Sequence, residues 1–332
     1  MNVPLSRQPW FSAALAWYFV VVWGSGFVIT KIALQYAPPF TFLTLRFVFG
    51  LACVIPVILI MQPRWPATRV ELVHVIVAGL LMHAVHLGGS HYTQYLGISA
   101  GITALILSAQ PLITALIAAR WMDERLTRRQ WVGVIVGLGG VLLIVWHKID
   151  VHVATAASLL AVTVGLAGVT AGTLYQRAFC PLVDLRSAAF VQFSVNIAVL
   201  APLAWVVEGF TIEWSWALVG AIVFLVIGGS ILAVSALHTL MRRGQATRVT
   251  SLLYLTPVFA VVVELAVFGL VPSALSTFGI VVTCFGVALV AARARAPASA
   301  SPTFIHSPPP GQTSRAQPDA ANQYVGTADT RM

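Results

Sequence analysis

Apolar positions dominate the chain from residue 11 to residue 292. They form ten runs, at 11–30, 39–60, 72–95, 100–119, 128–146, 153–174, 186–206, 216–240, 247–268 and 273–292, separated by short polar connections. An α-helix needs about 20 such residues to cross a bilayer core, so the pattern predicts ten transmembrane helices. The short connections make neighbours antiparallel. Polar residues mark several starts. Thr127 and Gln130 have the spacing of a capping box ahead of span five, and Ser99 and Ser273 stand where a hydroxyl caps spans four and ten. The first run is too long for a cleaved signal, lacks a small-residue cleavage site and is followed by nine more. Beyond Ala296 the pattern stops. The stretch 297–332 is rich in Pro, Ser, Ala, Gln and Thr and is predicted to be a disordered tail.

Within the runs, polar residues recur on single helical faces. His83, His86 and Ser90, with Thr93 or Gln94, share one face of span three. Thr103, Gln110 and Thr114 share one in span four, and Thr250, Tyr254 and Glu264 one in span nine. Polar faces are costly in lipid unless they line a cavity or meet another helix. Trp23, His83, His86, Gln110 and Tyr254 are therefore candidates for one central substrate cavity, with interhelical bonding or plain packing as the alternative for each. Arg46 and Glu264 are ionisable and lie at membrane depth. They are the candidate charge and coupling residues, placed to pair with each other, with a structural ion pair as the alternative reading. Pro111 and Pro257 are expected to kink their helices.

Composition removes the soluble classes. Hydrophobic residues make up 59% and charged residues 9%, against about 25% charged in soluble domains, and the mean hydropathy is +0.90. The net charge of +9 does not point to nucleic acid, because the basic residues sit between apolar runs. With the amino terminus inside, fourteen arginines fall on the inner side, against Lys31 and Lys148 outside. Both termini are thus predicted to be cytoplasmic. Cys53, Cys180 and Cys284 form no disulfide framework or metal spacing. There is no phosphate-binding loop, no His-Glu-x-x-His and no set of histidine boxes. No cofactor, metal or enzymatic activity is expected.

The chain also matches itself at an offset of 146 residues. Gly26 falls on Gly172, Pro56 on Pro202, Pro111 on Pro257, Gly133 on Gly279 and Gly140 on Gly286. The offset spans five runs, an odd number, so the second half enters the membrane inverted. Inverted repeats supply the two related states of a transporter. The charges break the symmetry, since Arg46 falls on Gln192 and Glu264 on Ala118. The glycines of spans five and ten are expected to let those helices approach closely.

Several segments resemble the EamA-like branch of the drug/metabolite transporter superfamily. They are Trp23-Gly24-Ser25-Gly26-Phe27, Leu45-Arg46-Phe47, and the run from Ser99-Ala100-Gly101 through Gln110-Pro111 to Asp123-Glu124-Arg125-Leu126-Thr127. The second half departs at Gly269-Leu270-Val271-Pro272-Ser273, where the family has an acidic turn. The resemblance implies an all-α inner-membrane protein with two inverted five-helix repeats, here 11–146 and 153–292. It further implies secondary transport of small metabolites such as amino acids by alternating access, read here as export with proton coupling. The partners are then a small-molecule substrate and the bilayer, and monomer or homodimer stays open. The competing class is a membrane-embedded enzyme acting on a lipid or small apolar substrate.

Overall fold

A computed structural model of the protein describes residues 9–121, 127–150, 154–233, 235–236, 239–240 and 255–291. The expected tail at 297–332, the turn at Asp123–Glu124 and the candidate Tyr254 lie outside the described residues. The elements in order are α1 (Pro9–Ala33), α2 (Pro39–Met61), α3 (Arg69–Gly79), α4 (His86–Tyr95), α5 (Ala100–Leu107), α6 (Gln110–Trp121), α7 (Arg128–Asp150), α8 (Ala156–Phe179), α9 (Leu185–Glu208), α10 (Trp216–Val223), α11 (Leu255–Phe268) and α12 (Ala274–Ala291). Among the described residues there is no strand. Seven helical stretches are long and apolar enough to cross a membrane, and Leu255–Phe268 and Ala274–Leu289 are shorter apolar helices. The protein is an all-α membrane protein. Side chains such as Ile60, Val206 and Trp205 are largely exposed on the outside of the helices, where only lipid makes that arrangement favourable.

Capping follows the expected chemistry. Thr127 and Gln130 make both bonds of the box, Gln130 N donating to Thr127 Oγ1 at 3.3 Å and Thr127 N to Gln130 Oε1 at 2.9 Å. Ser99 Oγ accepts from Ile102 N, and Ser273 Oγ from Ser276 N.

Three spans depart from the regular helices that periodicity predicts. Span four divides into α5 and α6 at Ser108–Ala109, immediately before Gln110–Pro111. Proline lacks an N–H and its ring crowds the preceding turn, which accounts for the break. Span three widens between α3 and α4 into a π-helical segment, Leu80–Val85, and span eight does so after α10, at Phe224–Ala233. Such i→i+5 segments are rare and collect at functional sites.

The tightest helix pairing is α7 against α12. A Cβ at Gly140 would lie 2.8 Å from the carbonyl oxygen of Gly279, and one at Gly286 2.6 Å from that of Gly133. Only glycine permits this approach. The other main pairings are α2 with α9, α4 with α8, and α1 with α11.

Candidate functional site

Two polar constellations stand out. The first lies at the end of the bundle where α1 and α11 finish and α5 begins. Glu264, on α11 and 4% exposed, accepts from the backbone N–H of Ala100 at 2.8 Å and of Gly101 at 2.9 Å, and pairs with Lys31 Nζ at 3.3 Å. These are the orphan donors at a helix N-terminus, where a carboxylate is favoured by both hydrogen bonding and the helix dipole. Lys31 also sits over the Phe268 ring, 5.2 Å from its centroid. One carboxylate thereby ties α1, α5 and α11 together. A cavity of about 260 Å³ opens beside it, lined among others by Lys31, Ser99, Ile102, Val261, Glu264 and Val271.

A second carboxylate does similar work. Glu208, the last residue of α9, accepts from Phe40 N at 2.9 Å, Thr41 N at 2.7 Å and Thr41 Oγ1 at 2.8 Å. The residue before α2 is Pro38, which has no side chain able to cap, so α9 supplies the acceptor.

The second constellation is interior. His83, in the widened part of span three, is bonded to Gln192 Oε1 of α9 through Nε2 at 3.2 Å, so this nitrogen carries the proton. His86 Nδ1 meets the Gly165 carbonyl of α8 at 3.0 Å. Asn196 donates to the Gly79 carbonyl, where the widening begins. The Arg46 guanidinium donates to Ser230 Oγ at 3.5 Å, in the widened part of span eight. Phe47, next to Arg46 in α2, packs edge-on against the His83 ring, 5.4 Å between centroids.

The expected pairing of Arg46 with Glu264 is corrected by these contacts. Glu264 is held by Lys31 and the start of α5, and Arg46 by Ser230. The physical reason is placement: the start of α5 and Lys31 bring two backbone donors and a charge to Glu264, whereas Arg46 reaches into span eight. The four cavity candidates among the described residues do not converge either. Trp23 is partly exposed and packs on Phe19 at 4.7 Å between centroids. Gln110 donates to Thr173 of α8 at 3.1 Å. Among the described candidates only His83 and His86, on neighbouring turns of span three, share a neighbourhood. None of Trp23, His83, His86 and Gln110 lines the cavity beside Glu264. Reading by faces missed Lys31, Glu208 and Ser230 as partners. Lys31 was visible as one of two lysines in the chain, at the end of a span. Nothing in the sequence marked Ser230.

The profile of the EamA-like transporter family matches residues 10–146 and again 155–292. The chain belongs to the EamA-like transporter family. Relatives include the "Uncharacterized inner membrane transporter YedA" of Escherichia coli K12, 24% identical over 85% of this chain and 90% of its own length. The "Uncharacterized transporter YvbV" of Bacillus subtilis is 24% identical over 87% and 94%. A "Probable amino-acid metabolite efflux pump" of Salmonella typhimurium is 29% identical over 47% and 49%. A crystal structure 17% identical in sequence superposes with a TM-score of 0.58, over 85% of this chain and 98% of that one. At that identity the likeness speaks for the fold alone.

Proposed function

We propose that the protein is a secondary transporter of the inner membrane that exports small metabolites, amino acids among them, by alternating access. In this reading ten spans form two inverted halves, 11–146 and 153–292, with both termini cytoplasmic. One observation carries it: residues 146 apart make equivalent contacts. Gly140 abuts the Gly279 carbonyl as Gly286 abuts the Gly133 carbonyl. Arg46 of α2 reaches the widened segment of span eight, as Gln192 of α9 reaches that of span three. The two widened segments themselves overlap at this offset. Paired contacts of this kind supply two related conformations separated by a small rearrangement. The amino-acid class is supported by the efflux-pump relative, and the inner membrane by YedA.

Proton coupling in this reading runs through Glu264. A proton on its carboxylate abolishes the Lys31 pair and weakens the cap on α5, freeing α1, α5 and α11 to part at that end. Reconstituted protein should move solute unchanged into or out of liposomes and respond to an imposed pH gradient. Glu264→Gln should insert normally and still exchange substrate, yet lose the response to the gradient. Full gradient-driven transport by Glu264→Gln would leave Glu264 as a structural tie. A carboxy-terminal reporter reading periplasmic would defeat the inverted halves.

A further inference from the structure

We propose that Arg46 is the anchor for an anionic group of the substrate, a carboxylate in the first instance, received beside Ser230 in the widened segment of span eight. This rests on the transporter reading above and adds the substrate's charge to it.

The argument begins with a charge lacking a counter-charge. Arg46 lies seven residues into α2, about 10 Å along a helix rising 1.5 Å per residue. A cation at such depth is costly and ordinarily faces a partner or a wet cavity. Among the described residues no carboxylate pairs with it. Glu264 is taken by Lys31 and α5, Glu208 by the start of α2, Asp184 by Arg186, and Glu71 by Ala67 and the Thr68 cap. The contact Arg46 does make, to Ser230 Oγ at 3.5 Å, is at the long limit of a hydrogen bond. The Ser230 hydroxyl proton is directed to the Leu225 carbonyl at 3.2 Å, so the hydroxyl oxygen offers Arg46 a neutral acceptor and nothing more.

The first half of the chain shows what is missing. Arg46 and Gln192 are 146 residues apart, as are His83 and Gly229. Gln192 faces a side chain, His83, and bonds it at 3.2 Å. Arg46 faces the equivalent segment, and there the place of the imidazole is held by a glycine. A Cβ at Gly229 would meet nothing within 4 Å. One half fills the place with a ring and a neutral amide. The other has a glycine at that place and, at the neighbouring Ser230, a guanidinium. The planar fork of an arginine matches a carboxylate bidentately, and the room left by an absent imidazole suits a group of that size. Phe47, next to Arg46 in α2, packs edge-on against the His83 ring of span three, and Arg46 itself reaches Ser230 of span eight, so the site lies between the two widened segments, where alternating access needs a substrate to be held.

The test uses full-length protein in liposomes, with counterflow of leucine and phenylalanine set against their carboxamides, and binding of the same four compounds read by shift in melting temperature. Wild type should bind and exchange the acids and not the amides. Arg46→Gln should lose about ten- to a hundredfold in affinity for the acids, the usual worth of a charge-assisted bond. Gly229→Asp places a tethered carboxylate in the open position. It should insert, melt higher than wild type and no longer bind the acids. Acids bound by Arg46→Gln as by wild type, or amides bound as well as acids, overturn the proposal while leaving the transporter reading intact. If Arg46→Gln fails to insert, undiminished acid binding by Gly229→Asp overturns it. If wild type exchanges neither acids nor amides, the amino-acid reading falls first and takes this one with it.

Discussion

The two widened segments occupy corresponding places in spans three and eight and are held very differently. Leu80–Val85 is clamped. Gly168 and Gly172 of α8 press against it so closely that a Cβ on Gly168 would lie 2.8 Å from Val85 Cγ1 and 2.9 Å from His86 N. Gln192 and Asn196 of α9 bond to His83 and to the Gly79 carbonyl. Phe224–Ala233 is longer and more loosely held. Its polar ties to other helices are long, Arg46 to Ser230 Oγ at 3.5 Å and the Tyr18 hydroxyl of α1 to the Gly228 carbonyl at 3.3 Å, and a Cβ at Gly229 would meet nothing within 4 Å. A segment packed on backbone has one arrangement available, because packed interiors resist change in volume. A segment with open space on one side has several. On the proposed function, span three is then the fixed wall and span eight the wall that would receive substrate and shift.

Breaking the clamp should have the largest effect. Gly168→Val puts branched carbon against Val85, His86 N and the Leu81 carbonyl, two of them backbone atoms that have nowhere to go. A loss of about 3 kcal/mol is expected, the upper part of the usual overpacking range, seen as a lower unfolding midpoint in detergent and poor yield. Wild-type stability in this variant would mean that α8 does not clamp the segment. Gln192→Ala comes next. It removes the bond to His83 and should cost about 0.6 kcal/mol and at most about 1.7, the span measured for interhelical hydrogen bonds in membranes. The same readout applies, and a cost above that range would show that Gln192 carries more than its bond.

How much of this was legible in the sequence depends on how locally it is encoded. Apolar runs, the Thr127–Gln130 box and the glycines of α7 and α12 are short-range signals: seven helical stretches among the described residues are long and apolar enough to cross a membrane, and the box and the glycines make the expected contacts. The break at Ser108–Ala109 was announced by Pro111. The widened segments were not, because a π-helical turn has nearly the composition of the helix around it, and what selects it is packing from α8 and α9. Partner choice was the least legible. Glu264 sits on a polar face with Tyr254 in sequence, yet its partners are backbone N–H groups of Ala100 and Gly101, which no side-chain pattern advertises. Arg46 and Glu264 share a depth, and depth alone does not make a pair. The repeat offset was the longest-range signal in the sequence, and it aligned Arg46 with Gln192.

The smallest effect is expected at Gly229 and bears most directly on the contrast. Gly168→Ala and Gly229→Ala make the same chemical change in or against the two corresponding segments. At Gly168 the new methyl collides with backbone, so stability falls. At Gly229 it meets nothing within 4 Å, and the position has no positive φ that would demand glycine. Alanine restricts the unfolded chain and favours helical backbone by up to about 1 kcal/mol over glycine in a regular helix. A π-helical segment should realise part of that gain. The unfolding midpoint of Gly229→Ala should therefore match wild type or exceed it slightly. A clear loss would show that span eight closes onto Gly229 as α8 closes onto span three. The two walls would then be equally fixed, and the contrast between the two segments would not hold.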